Sequence, residues 1–136
     1  MLVENQWAEN KDEKWVENLQ GSDRTTAKGT LYVNAIGISK YPGLSADQQL
    51  QSPPLDAKNI VNRMKKLEGT LYQKVVVNLL TDLDGNNVTS KRVESMLKQQ
   101  TAPAGPNDTT LIFLAGHGVT DSKGDYQFIT ADTQLG

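Results

Sequence analysis

The chain has 136 residues, with 14 basic and 16 acidic side chains, a formal net charge of −2, one histidine and no cysteine. That length suits one small domain. The charge balance gives no electrostatic footing for nucleic acid or an anionic membrane, and the lack of cysteine excludes disulfides and thiolate metal sites.

Residues 1–29 are polar and charge-rich and hold both tryptophans, Trp7 and Trp15. Trp15 and Leu19 have the spacing of one helical face, but the composition reads as a mobile leader or the end of an upstream module. The stretch lacks the apolar centre of a secretory signal, and no run in the chain approaches the roughly 20 apolar residues of a membrane span. The expected location is therefore cytoplasmic.

At LYVNAIGI (31–38) the pattern changes to a buried strand. A loop, SKYPGLSADQQLQS, leads to a helix over 52–69. Ser52 is its expected N-cap and Pro53 suits its first position. Ala57, Ile60, Val61, Met64 and Leu67 make one apolar stripe, and Gly69 is the expected stop. YQKVVVNLL (72–80) is a second strand, and TDLDGNN is a turn cluster. A second helix spans 89–100, with Thr89 as N-cap and Val88 against Val93 as a hydrophobic staple. TLIFLAG (110–116) is a third strand, apolar enough to be covered on both faces. YQFITAD (126–132) has the look of a short further strand. Strands alternating with helices predict a mostly parallel sheet in a layered α/β fold, with right-handed crossovers.

In open α/β sheets, ligands bind beyond the carboxyl ends of the strands. His117 falls just past the end of the third strand, between Gly116 and Gly118. Histidine titrates near neutrality, which suits a general base. The Gly118 N–H, free of side-chain cover, suits an oxyanion donor. Asp56 opens the first helix near another strand end; favourable interaction with the helix dipole accounts for it equally well. DLDGNN lacks the glycine spacing of a calcium loop. Asp121, Asp125 and Asp132 could gather a divalent cation, though spaced loop acids are usually solvated. No G-x-G-x-x-G, P-loop or G-x-S-x-G is present.

Together, LYVNAIGISKY, LDAKNIVNRM, VVVNLLTDLDGNNVTSKRVESML and DTTLIFLAGHGVTDSKGDYQFITAD resemble the caspase and metacaspase family of cysteine peptidases. The resemblance runs from about residue 30 to the end. It is nearest to the bacterial caspase-like domains often joined to WD-repeat modules. It implies a three-layer caspase-like sandwich, present here as its N-terminal β-α-β-α-β portion over 30–136. By resemblance, His117 matches the catalytic histidine and Gly118 an oxyanion-hole glycine. Asp56 matches a metacaspase acid that binds the basic residue before the scissile bond, implying cleavage after Arg or Lys. No cofactor is implied, beyond calcium activation as a weaker expectation. The implied partners are a protein or peptide substrate and either the remainder of the domain or a second chain at the open sheet edge.

One departure dominates. The family's nucleophilic cysteine lies on the next core strand, whereas this chain stops at ADTQLG and has no cysteine. Two functions follow as expectations: part of a cysteine endopeptidase whose nucleophile lies outside this chain, or a non-catalytic caspase-like module that binds or regulates a partner. A histidine-dependent hydrolase of another family would need a serine elbow that the sequence lacks.

Overall fold

The computed structural model describes residues 28–134. The leader and the Trp15–Leu19 pairing fall almost wholly outside them. Three parallel strands, β1 (Thr30–Gly37), β2 (Lys74–Thr81) and β3 (Thr109–Ala115), form a sheet in the order β2-β1-β3. Helix α1 (Pro53–Lys65) joins β1 to β2, and α2 (Ser90–Thr101) joins β2 to β3. The chain is α/β, as its alternating pattern predicts. No helix among the described residues is long and apolar enough to cross a membrane.

The first crossover runs from the central β1 out to β2 and the second runs back past β1 to β3, so the two move along the sheet in opposite directions and crossovers of one hand must put α1 and α2 on opposite faces. The core divides accordingly. Leu31, Val33 and Ala35 of β1 pack with Ala57 and Val61 of α1. Ile36 and Ile38, of the other parity, pack with Val88 and, from α2, Val93, Met96 and Leu97. Alternate side chains of one strand thus serve two layers. This explains why β1 is nearly all apolar and buried along its length.

Four local expectations are revised. Ser52 has helical backbone angles and makes no side-chain cap. Pro54 occupies a position whose N–H a cap would bind, so little is left for a serine to satisfy. The first helix ends at Lys65 rather than at Gly69; Gly69, at φ 76°, instead serves the turn back toward β2. The third strand is covered on one face only: α2 packs on β1 and β2, leaving Ile112 49% and Leu114 43% exposed. Finally, the run 126–132 is strand only over β5 (Tyr126–Phe128), antiparallel to β4 (Gly118–Thr120), outside the main sheet.

Other local signals hold. Thr89 caps α2 through the Arg92 N–H at 3.4 Å, and Val88 and Val93 share one core cluster. The DLDGNN turn contains Gly85 at φ 87°.

Candidate active site

The carboxyl ends of the three strands support one loop, Ser39–Leu50, and one histidine. Asp82, just past β2 and 1% exposed, holds the start of that loop. Its carboxylate accepts the Ser39 N–H at 2.8 Å, the Ser39 hydroxyl at 2.7 Å and the Lys40 N–H at 2.7 Å. The far end is closed by Gln49. Its Oε1 accepts the Tyr41 N–H at 2.7 Å, and its Nε2 donates to the carbonyls of Tyr41, Leu44 and Ser45. A loop whose backbone groups are bonded this fully has few alternatives open to it.

The loop delivers two groups to His117, which is half-buried just past β3. The Gln48 carbonyl oxygen lies 2.6 Å from Nε2. A carbonyl only accepts, so Nε2 carries a hydrogen, and in the neutral ring the lone pair then sits on Nδ1. No hydrogen bond occupies Nδ1 among the described residues. Tyr41 supplies the second group. Its hydroxyl accepts the His117 N–H at 2.8 Å, and its ring lies 4.9 Å from the imidazole, tilted by 56°. Burial pushes the Tyr41 phenol above its ordinary value, against the His117 N–H, with Asp82 and Tyr126 reinforcing the rise. The hydroxyl therefore keeps its proton and stays neutral.

Gly118 begins β4. The Ile129 N–H donates to the His117 carbonyl at 3.0 Å, which makes Gly118 and Phe128 a non-hydrogen-bonded pair. In that register the Gly118 N–H points outward from the hairpin. The exposed Tyr126 ring lies where a side chain at position 118 would go and would have to swing aside for one.

Asp56 is exposed in the first turn of α1, and its N–H bonds the Ser52 carbonyl at 3.0 Å. Among the described residues its carboxylate has no hydrogen-bond or ion-pair partner, and nothing links it to His117. Both stand at the carboxyl end of the sheet, on β1's crossover and after β3 respectively.

The acids after the histidine do not converge. Asp121 accepts the N–H groups of Lys123 and Asp125 at 2.9 Å each, and so closes the β4–β5 turn. Asp132 accepts the Ser90 N–H at 2.9 Å and so caps α2. No group of three His, Asp or Glu side chains suited to a metal occurs among the described residues.

Sequence reasoning missed Asp82, Tyr41 and Gln48. Asp82 lies within the turn cluster TDLDGNN, and an acid directly after an apolar strand is the signal that marks it. Nothing in the sequence marks a backbone carbonyl such as that of Gln48.

The profile of the caspase domain family matches residues 32–135. The chain belongs to the caspase-domain family. No curated protein and no solved structure matches it significantly. A caspase-family chain carries a domain of cysteine-peptidase type, and this one contains no cysteine in its 136 residues.

Proposed function

We propose that this chain is the histidine-bearing part of a caspase-type cysteine endopeptidase, whose nucleophilic cysteine is supplied from outside residues 1–136. The observation that carries this is the His117–Gln48 bond. With Nε2 committed to a carbonyl, Nδ1 is the nitrogen free to take a thiol proton. The thiolate attacks the peptide carbonyl, and the oxyanion that forms accepts from the outward Gly118 N–H. The imidazolium then returns its proton to the leaving amine, and water hydrolyses the acyl-enzyme. The carbonyl of Gln48 fixes the ring as the third member of the arrangement, in the role a carboxylate plays in other triads.

Asp56 is the proposed contact for an Arg or Lys before the scissile bond. It is exposed, at the same end of the sheet as His117, with no partner of its own among the described residues. Chemistry of this kind needs no cofactor, and calcium activation is a secondary proposal. A cytoplasmic location is likewise proposed.

The test is an assay of the chain joined to the coding sequence that follows codon 136, on fluorogenic peptides ending in Arg, Lys or Asp. Alkylation-sensitive turnover after Arg or Lys, lowered by several orders of magnitude in His117→Ala, is expected. Turnover indifferent to His117→Ala overturns the assignment.

The second reading, a non-catalytic module that binds or regulates a partner, is favoured by one observation. Edge strand β3 presents Ile112 and Leu114 on an uncovered face. A stop directly after codon 136 selects this reading.

A further inference from the structure

We propose that Tyr41 is a positioning residue for His117, acting through its hydroxyl as well as its ring. The inference rests on His117 being the general base, and it adds a side chain that the family assignment does not supply.

Packing explains the ring of Tyr41 but not its oxygen. Tyr41 is 2% exposed and belongs to a cluster with Ile36, Ile38, Leu80, Val88 and Ile129. A phenylalanine would fill that space as well, without carrying a polar atom inside. The hydroxyl is there, and it is used twice: it accepts the His117 N–H at 2.8 Å and lies 3.4 Å from the Ile38 carbonyl. It therefore ties the second residue after β3 to the first residue after β1.

The neighbouring glycine is cut to the same shape. A methyl group on Gly116 would stand 2.5 Å from the Tyr41 oxygen and 3.2 Å from the Phe128 ring. Position 116 thus leaves room for the hydroxyl and for nothing larger.

Three contacts then fix the imidazole from one loop. Tyr41 holds the backbone of His117 and lies against its ring, the Gln48 carbonyl takes Nε2, and Gln49 brackets Tyr41 on both its N–H and its carbonyl. By taking the His117 N–H, the Tyr41 hydroxyl fixes the Gly116–His117 peptide, and the Ile129 N–H holds the carbonyl of the next one, whose Gly118 N–H points outward. A proton-transfer group must be held within tenths of an ångström of its working place, and a group pinned at backbone, ring and nitrogen meets that demand.

The sole histidine makes the test unambiguous, because any imidazole N–H resonance of this chain belongs to His117. In a 15N-labelled sample, the parent is expected to show one Nε2–H signal protected from solvent exchange. Tyr41→Phe should leave the amide signals of β1, β2 and β3 in place while that imidazole proton exchanges about five- to tenfold faster, the factor expected for loss of one hydrogen bond. Gly116→Ala, which displaces the hydroxyl and keeps the ring, should produce the same loss and decides the matter if Tyr41→Phe does not fold. An imidazole signal equally protected in parent and variants, or absent from the parent, overturns the proposal. The readout contains no turnover. If the catalytic role of His117 is itself wrong, the peptidase assay fails and this signal does not.

Discussion

Asp82 and Ser39 are bonded to one another twice, through the serine N–H at 2.8 Å and its hydroxyl at 2.7 Å, with the aspartate almost wholly buried. The pair joins the carboxyl ends of β2 and β1, and so anchors the loop that reaches His117.

Removing that carboxylate strands two part-buried N–H groups and a hydroxyl. We predict that Asp82→Ala costs about 1–3 kcal/mol of stability, since hydrogen bonds to a charged acceptor are among the stronger ones and the substitution empties a buried position. Urea unfolding measures it. A loss within about 0.5 kcal/mol, the ordinary range for a surface change, would show that the loop does not depend on this anchor.

A second prediction concerns acid. Asp108 is held below the usual carboxyl value of 3.8 by the Thr30 and Gly105 N–H groups, and Asp121 by those of Asp125 and Lys123. A depressed folded value contributes stability that is complete above the unfolded value and lost as pH falls through the folded one. Thermal melts should therefore be insensitive to these groups above about pH 5 and should decline below about pH 4. Asp108→Asn with Asp121→Asn should flatten that decline. An unchanged acid limb in the double variant refutes the attribution.

The chain alone should not cleave peptides. It has no cysteine, and a base without its nucleophile forms no acyl-enzyme. Turnover of Arg- or Lys-terminated substrates that follows the purified chain and disappears in His117→Ala would contradict this. With the nucleophile present, Asp56→Ala should weaken use of Arg and Lys and spare the chemical step. If it instead lowers the melting temperature and leaves the basic preference intact, Asp56 serves only its helix.

The Tyr41–Gly116 contact predicts coupled energetics. Gly116→Ala should destabilise by about 1–3 kcal/mol through overpacking, and by less when Tyr41 is already phenylalanine, because the oxygen it strikes is gone. Additive costs in the double-mutant cycle would place the hydroxyl elsewhere.

Edge strand β3, with Ile112 and Leu114 open to solvent, is a template for pairing. Sedimentation should show concentration-dependent association that Leu114→Lys reduces. A compact monomer at every concentration would rule the edge out as an interface.

Much of this was legible in the chain itself. The apolar run of β1, the 3.6-residue stripe of α1, the Thr89 cap and the place of His117 at a strand end all follow from spacing within a few residues. Periodicity and capping are local effects, and the neighbours that decide them are close in sequence. Ser52 shows the limit even there, since Pro54 removes one of the two N–H groups it would cap.

What only the tertiary structure decided are the contacts between distant positions. His117 meets Gln48 across 69 residues and Tyr41 across 76, and Asp82 meets Ser39 across 43. No pattern in the chain announces such pairs, because what brings them together is the strand order β2-β1-β3, which gathers the ends of non-neighbouring strands. The same order explains the overestimated burial of β3. Its composition suits cover on two faces, but α2 returns over β1 and β2, and the partner for Ile112 and Leu114 is set by what packs there, not by the strand's own residues.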